Sequence, residues 1–185
     1  MHRRFLTLAL LAGAGLLVAM PARRGAVAAP MPTGFSFRGL TGGTLALDEW
    51  RGRPVLVVNT ASRCGFTRQY DEMQALYERF RDRGLVVLAV PSGDFAQELA
   101  SDAAVAEFCE VNFALEFPMA GITPVRGAEA HPFFAWLARE HRFVPSWNFN
   151  KVLIGPDGTL QGTWGPMVRP TDRAIVRAVE AALRG

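Results

Sequence analysis

The chain has 185 residues, of which 50% are hydrophobic and 20% charged, a balance typical of a globular protein that can bury one core. Its formal net charge of +3 depends on four arginines that precede residue 29, and the remainder of the chain is slightly acidic. The high isoelectric point of the whole chain therefore gives no support to nucleic-acid binding, and no basic patch with interleaved aromatic residues follows those arginines.

The first 28 residues have the pattern of a secretory signal peptide. A basic start, "MHRRF", precedes the apolar run "FLTLALLAGAGLLVAM" and the small residues "AVA" at a candidate cleavage site. We expect a signal peptide at 1–28, a linker at 29–34 and one domain at 35–185, exported to the periplasm or the cell exterior. The alternative is an uncleaved membrane anchor, because Arg23 and Arg24 follow an apolar run only somewhat shorter than the roughly 20 residues that span a bilayer.

The first half of the domain predicts two short strands and then a strand–helix–strand unit. "FSFRGLTGGTLALDEW" predicts two strands around a glycine turn, and Val55–Val58 predicts a strand that is buried on both faces. A helix that ends near Gly84 is indicated by apolar residues at helical spacing: Met73, Leu76, Tyr77 and Phe80. "LVVLAVP" predicts a second buried strand, which we expect to pair in parallel with the first.

The second half of the domain predicts three helices and a hairpin. "SDAAVAEFCEVNF" is helical with Ser101 or Asp102 as its N-cap, and "HPFFAWLAREHRF" is a helix that begins after Pro132. "KVLIGPDGTLQGTW" predicts two strands joined by a turn, and "PTDRAIVRAVEAALR" predicts an amphipathic helix with Thr171 as a candidate cap. This order of elements predicts an α/β protein with a thioredoxin fold and additions, in which helices flank a central mixed sheet.

Cys64 and Cys109 are the two cysteines of the chain, and Cys64 lies where a buried strand turns into a helix. The free N–H groups and positive dipole end of a helix N-terminus stabilise a thiolate, and Arg63 and Arg68 flank Cys64. A buried structural cysteine is the alternative on position alone. The cysteines have neither C-x-x-C spacing nor a zinc-ligand pattern, so we predict no metal site.

Three segments resemble the glutathione peroxidase family, in the family's order. "VNTASRCGFTRQY" resembles the signature V-N-x-A-S-x-(C/U)-G-x-T-x-Q-Y, "SWNFNKVLIGPDG" resembles W-N-F-x-K-F-L-V-x-x-x-G, and "FCEVNFALEFPM" resembles a third family segment. The resemblance extends from about Phe35 to the C-terminus. It implies a thioredoxin fold with glutathione-peroxidase-type additions and a peroxidase of the non-selenium branch.

The resemblance also implies roles for individual residues. Cys64 would attack the O–O bond of a hydroperoxide and become a sulfenic acid, with Trp147 and Asn148 as hydrogen-bond donors at the site. Cys109 matches the resolving cysteine of the thioredoxin-dependent branch, where an internal disulfide forms and a thioredoxin-like donor reduces it. No cofactor is implied. A core position beside Phe108 is the alternative for Cys109.

One segment departs from the family pattern F-P-C-N-Q-F-G-x-Q-E-P. The corresponding stretch here is "VPSGDFAQELA", in which Ser92 replaces a recurrent cysteine and Asp94 replaces the glutamine of the catalytic tetrad. A carboxylate only accepts hydrogen bonds, and a second negative charge near the sulfur would slow its attack. Three outcomes are open: Asp94 turns outward, it is held protonated, or the site is weakened.

The family's long insertion linked to tetramers is absent between Pro132 and Trp147. We therefore expect a monomer with an open site that admits hydrogen peroxide or bulky lipid hydroperoxides. The cysteine pair favours a thioredoxin-like reductant over glutathione. Two other functions stay open at this point: a thiol–disulfide oxidoreductase of thioredoxin type, and a redox-inactive binding or sensor protein.

Overall fold

The computed structural model describes residues 29–184, so the predicted signal peptide at 1–28 lies outside the described residues. None of the helices in the described part is long and apolar enough to cross a membrane. Six strands and four α-helices follow in chain order: β1 (Ser36–Arg38), β2 (Thr44–Ala46), β3 (Val55–Thr60), α1 (Gln69–Phe80), β4 (Val86–Pro91), α2 (Asp102–Phe113), α3 (Pro132–His141), β5 (Lys151–Ile154), β6 (Leu160–Trp164) and α4 (Arg173–Ala182).

A four-stranded mixed sheet with the order β4–β3–β5–β6 forms the centre of the protein. β3 and β4 are parallel and are joined through α1, as the strand–helix–strand pattern predicts. β5 pairs antiparallel with β3 and with β6, and the predicted turn joins β5 to β6. β1 and β2 form a separate antiparallel pair. The predicted α/β fold with a central mixed sheet is confirmed.

The two faces of the sheet carry two separate hydrophobic clusters, because successive side chains of a strand point in opposite directions. Leu56 and Val58 of β3 pack in one cluster with α1, α2 and α4, and this cluster contains both cysteines. Val55 and Val57 pack in the other cluster with β1 and α3. All six residues of β3 are buried, as expected for a strand covered on both faces.

The helix ends follow local rules of capping. The Ser101 hydroxyl accepts a hydrogen bond from the N–H of Ala104, so the predicted cap of α2 is confirmed. His131 caps α3 through its ring nitrogen, which accepts from the N–H of Phe133. The predicted cap of α4 is wrong: Asp172 is at the N-cap, and the Thr171 hydroxyl donates instead to Glu72 of α1.

Candidate active site

Cys64 lies in a coiled turn that connects β3 to α1, and it is 5% exposed. Its carbonyl oxygen accepts from the N–H of Thr67 at 3.2 Å, and the next turn continues into the helix through Tyr70, whose N–H donates to Thr67 at 3.0 Å. Cys64 therefore lies in the turn that leads into α1, four residues before its N-cap Arg68. Arg63 and Arg68 are both exposed, so solvent and salt screen their charges.

Asn148 is fully buried, while its neighbour Trp147 is 39% exposed. The amide nitrogen of Asn148 donates to the side-chain oxygen of Gln97 at 3.0 Å. Its own amide oxygen is buried without a hydrogen-bond partner among the described residues. The Trp147 ring packs against Phe95, with ring centroids 5.3 Å apart. Asn148 is thus a buried group with one fixed contact and one unused acceptor.

Two buried asparagines hold the Trp147–Asn148 segment against β3. Asn59 of β3 donates from its side chain to the carbonyl oxygen of Trp147 at 2.9 Å, and its side-chain oxygen accepts from the N–H of Asn150 at 3.0 Å. Asn150 also donates from its side chain to the Trp147 carbonyl at 2.6 Å. Phe149, between them, has a φ of 60°, in the left-handed region. This reciprocal pairing fixes where Asn148 lies relative to the strand that leads to Cys64.

The loop that follows β4 makes direct contacts with the Cys64 turn. The carbonyl oxygen of Gln97 accepts from the N–H of Arg63 at 2.8 Å, and the Glu98 carboxylate accepts from the N–H groups of Ser62 at 3.0 Å and Leu99 at 2.8 Å. Gln97 therefore touches the residue before Cys64 with its backbone and Asn148 with its side chain. The sequence pattern assigns no role to Gln97 or Glu98, and the structure shows both in contact with the turn that contains Cys64.

The carboxylate of Asp94 is bound by a third segment, the loop at 125–126. One of its oxygens accepts from the backbone N–H groups of Val125 at 2.6 Å and Arg126 at 3.1 Å. The N–H of Asp94 donates to the Ser92 hydroxyl at 3.3 Å. One Asp94 carboxylate oxygen therefore has two backbone partners in the segment at 125–126.

Cys109 lies on the buried face of α2, is 4% exposed and is a free thiol, like Cys64. Burial is the largest cause that raises the pKa of the Cys109 thiol to about 11; the adjacent Tyr70 hydroxyl lowers it and the charge of Glu98 raises it. At neutral pH the Cys109 side chain is therefore almost entirely a neutral thiol. In this conformation Cys109 is therefore a poor nucleophile, because the thiolate and not the thiol is the reactive form.

Lys151 is fully buried, which is unusual for a lysine and is not indicated by its place in a strand. Its ammonium group donates to the side chain of Gln69 at 2.5 Å and to the carbonyl oxygen of Val168 at 2.5 Å. Burial lowers the pKa of Lys151 to about 8, and the charges of Glu72 and Asp172 oppose that fall. Lys151 therefore ties β5 to the first residue of α1 and to the loop that precedes α4.

Comparisons of this chain with family models and with known proteins all identify the same family. The glutathione peroxidase family model matches residues 33–138. A glutathione peroxidase of Lactococcus lactis subsp. cremoris is 37% identical over 143 residues, which cover 75% of this chain and 91% of the relative. The hydroperoxy fatty acid reductase gpx1 of Synechocystis is 38% identical over 152 residues, which cover 76% of this chain and 90% of the relative.

Solved structures agree with this result. The crystal structure of Trgpx in its apo form is similar to this chain with a TM-score of 0.66 and 31% sequence identity. The match covers 82% of this chain and 94% of that structure.

Proposed function

Because the chain belongs to the glutathione peroxidase family, and is thus a thiol peroxidase that reduces hydroperoxides with a thiol reductant, we propose that Cys64 is its peroxidatic residue. The Cys64 thiolate attacks the terminal oxygen of the hydroperoxide. A bond forms between sulfur and oxygen, the O–O bond breaks, and the departing alkoxide or hydroxide takes up a proton. Cys64 becomes a sulfenic acid, and the hydroperoxide is reduced to an alcohol or to water.

One observation carries this assignment: Gln97 joins the Cys64 turn to Asn148. Its backbone accepts from Arg63 and its side chain accepts from Asn148, at 2.8 and 3.0 Å. The fully buried Asn148 is thereby held by the loop that contacts the Cys64 turn, and in this proposal the second hydrogen of its amide nitrogen is the donor to the developing negative charge. Trp147, which packs on Phe95, supplies the second donor in this proposal. Asp94 has no part in the chemistry, because its carboxylate is occupied by backbone N–H groups.

We further propose that Cys109 resolves the sulfenic acid by forming a Cys64–Cys109 disulfide. Both thiols belong to the same buried cluster, and in this proposal Cys109 leaves its place on α2 to reach Cys64. The first turn of α2 is tied down, since Asp102 pairs with Arg38 and accepts from the N–H of Ile122 at 2.8 Å. The last turn is freer: Val111 is 76% exposed, and α2 ends at Ala114 with a φ of 46°. We expect α2 to open from this last turn.

The proposed substrates include bulky lipid hydroperoxides as well as hydrogen peroxide. Trp147 of the candidate site and Met167 of the loop held by Lys151 are exposed apolar residues, at 39% and 76%. Such side chains can bind an acyl chain while the peroxide reaches Cys64. The name of the Synechocystis relative, a hydroperoxy fatty acid reductase, is consistent with this proposal. We propose a monomer, which leaves this surface open.

The proposed reductant is a thioredoxin-like protein in the compartment to which the chain is exported. An intramolecular disulfide is a substrate for dithiol exchange, in which a donor thiolate attacks one sulfur and a second donor thiol releases the mixed disulfide. Export follows only from the pattern of residues 1–28. If that segment is not cleaved, the same domain would be held at the membrane surface.

The second-order rate of Cys64 sulfenylation by hydrogen peroxide tests the proposed function. The rate is measured by stopped flow, and the sulfenic acid is trapped with dimedone and located by mass spectrometry. We expect a rate constant well above that of free cysteine thiolate, abolished in Cys64→Ser and unchanged in Cys109→Ser. A rate constant no greater than that of free cysteine thiolate would refute a peroxidatic role for Cys64.

A further inference from the structure

The candidate active site lies at one edge of the central sheet, where five segments of the chain meet. β3, β4 and β6 all end at this edge and β5 begins there, because β3 is parallel to β4 and β5 is antiparallel to β3 and to β6. The chain at 119–123 runs parallel to β4, and the N–H of Thr123 donates to the carbonyl oxygen of Pro91, the last residue of that strand. The residues at 125–126 therefore lie beyond the end of β4, at the same edge.

Arg126 is an exposed cation at this edge. Its guanidinium carbon lies 4.9 Å from the centroid of the Phe95 ring, and the Phe95 ring packs in turn against Trp147, with centroids 5.3 Å apart. A guanidinium that stacks on an aromatic ring keeps the N–H groups at its edges available for hydrogen bonds. One buried ring therefore joins the Arg126 cation to Trp147 of the candidate site.

The charge of Arg126 is not used within the part of the chain that the structure describes. Among residues 29–184, Arg126 takes part in none of the ion pairs between arginines and acidic side chains. Asp94 contacts Arg126 through the backbone N–H at 3.1 Å, and the guanidinium group is not its partner. A positioned arginine with available donors is suited to bind a carboxylate, which it can hold with two parallel hydrogen bonds.

Asp94 fixes the position of this arginine. Its carboxylate accepts from the N–H groups of Val125 and Arg126, and it directly precedes Phe95 in the chain. The same residue therefore holds the segment that carries Arg126 against the loop that carries the stacking ring. An ionised carboxylate accepts stronger hydrogen bonds than the amide oxygen of a glutamine. The departure from the family pattern at Asp94 thus has a structural consequence at the border of the site.

The opposite end of the same edge is apolar. Met167, which follows β6, is 76% exposed, and the loop that carries it is held by Gln69, whose side chain donates to the carbonyl oxygen of Pro166 at 2.7 Å. β4 and β6 are three strand spacings apart, which is about 14 Å. β3, which leads to Cys64, lies between them. The edge therefore has a cation at one end, an apolar side chain at the other and the Cys64 turn between the two.

We propose that Arg126 is a specificity-determining residue that binds the carboxylate of a free hydroperoxy fatty acid, and that Asp94 is the residue that positions it. The inference rests on the proposed function, in which Cys64 reduces lipid hydroperoxides. The carboxylate pairs with the Arg126 guanidinium, and the acyl chain crosses the edge of the sheet towards Met167. The peroxide group, which lies within the chain, reaches Cys64. An esterified hydroperoxide lacks the negative charge and gains nothing from Arg126.

The test compares two hydroperoxides that differ in charge: the hydroperoxide of linoleic acid and its methyl ester, both below the concentration at which they form micelles. Stopped flow without any reductant gives the second-order rate constants for Cys64, so that a carboxylate on a reductant has no effect. We expect the acid to react about tenfold faster than the ester in the unaltered protein. Arg126→Gln should lower this ratio to about one. Arg177→Gln, which removes an exposed arginine of α4, is the matched control and should keep the tenfold ratio.

Two further measurements separate charge from position. The acid-to-ester ratio of the unaltered protein should fall towards one between about 0.01 M and about 1 M salt, because the screening length falls from about 30 Å to about 3 Å. Asp94→Ala should lower the ratio by about threefold, because the segment at 125–126 loses its anchor. Removal of the Asp94 charge alone would raise the ratio, since a negative charge near Arg126 opposes an anionic ligand. The direction of the change therefore reports on position.

The outcomes that overturn the inference need no assumption about the folding of a variant. A ratio near one in the unaltered protein, or a tenfold ratio that salt does not reduce, overturns the role of Arg126. So does a tenfold ratio that persists in Arg126→Gln, including the case in which acid and ester are slowed equally. A higher ratio in Asp94→Ala overturns the positioning role of Asp94. If hydrogen peroxide does not oxidise Cys64 in the unaltered protein, the proposed function fails first; if it does and the ratio is near one, only this inference fails.

Discussion

The link from Gln97 to Asn148 gives a prediction with a calculable magnitude. Gln97→Leu removes the one acceptor of the Asn148 amide, while the Gln97 backbone still accepts from Arg63. Asn148 is fully buried, so its N–H₂ group would stay unpaired at a cost of about 1–3 kcal/mol. For a domain of this size that cost lowers the melting temperature by about 2–4 °C per kcal/mol. Since Asn148 would lose its fixed orientation, we expect Cys64 sulfenylation to be at least about tenfold slower.

The assay combines thermal unfolding with stopped-flow measurement of Cys64 sulfenylation. Gln161→Leu is the matched control, because Gln161 is exposed on β6 and, among residues 29–184, its side chain hydrogen-bonds only to Thr159; we expect neither quantity to change. Gln97→Glu keeps an acceptor for Asn148 and should retain most of the stability. The reasoning would be refuted by a Gln97→Leu variant with unchanged stability and an unchanged sulfenylation rate.

Three further variants test other parts of the account. Asp94→Asn should lower stability by about 1 kcal/mol, because the N–H groups of Val125 and Arg126 lose a charged acceptor; a more than tenfold faster Cys64 reaction would contradict our view that the Asp94 charge is occupied elsewhere. Ala96, with a φ of 56°, is strained, so Ala96→Gly should raise the free energy of unfolding by about 0.5–1 kcal/mol in urea titrations. Lys151 has a folded pKa of about 8, below its ordinary 10.5. The unfolded state therefore binds more protons between these values, and the stability of the unaltered protein should rise with pH over this window relative to Lys151→Met, by at most about 1 kcal/mol per pH unit. A constant difference from pH 7 to 10 would show that Lys151 does not titrate there.

The order of the elements and the position of Cys64 could be predicted from the sequence because they depend on local patterns. Continuous β-branched runs identify β3 and β4, and the Ser101 cap follows from a hydroxyl that precedes an apolar helix. Thr171 lies one residue before the N-cap position, which Asp172 occupies, and its hydroxyl donates to Glu72, a contact across 99 residues that no local pattern shows. Local patterns therefore give elements but not the partners that compete for a side chain.

The connections within the candidate site depend on contacts that the sequence does not reveal. Gln97 reaches Asn148 across 51 residues, by way of a loop in which Ala96 takes a left-handed conformation that its residue type does not favour. Lys151 is buried because carbonyl oxygens of the 166–168 loop surround it, although a lysine within a strand would ordinarily be placed at the surface. Comparison with the family pattern identifies Asp94 as a departure from that pattern. The partners of its carboxylate, the N–H groups of Val125 and Arg126, follow only from the three-dimensional contacts.

Mass spectrometry after one equivalent of hydrogen peroxide tests the central claim most directly. We expect one oxygen atom on Cys64 at early times, followed by a Cys64–Cys109 disulfide with the loss of that oxygen as water. Two free thiols, as in the structure, with the peroxide unconsumed after prolonged incubation would contradict the claim that Cys64 is the residue at which this protein reduces hydroperoxides.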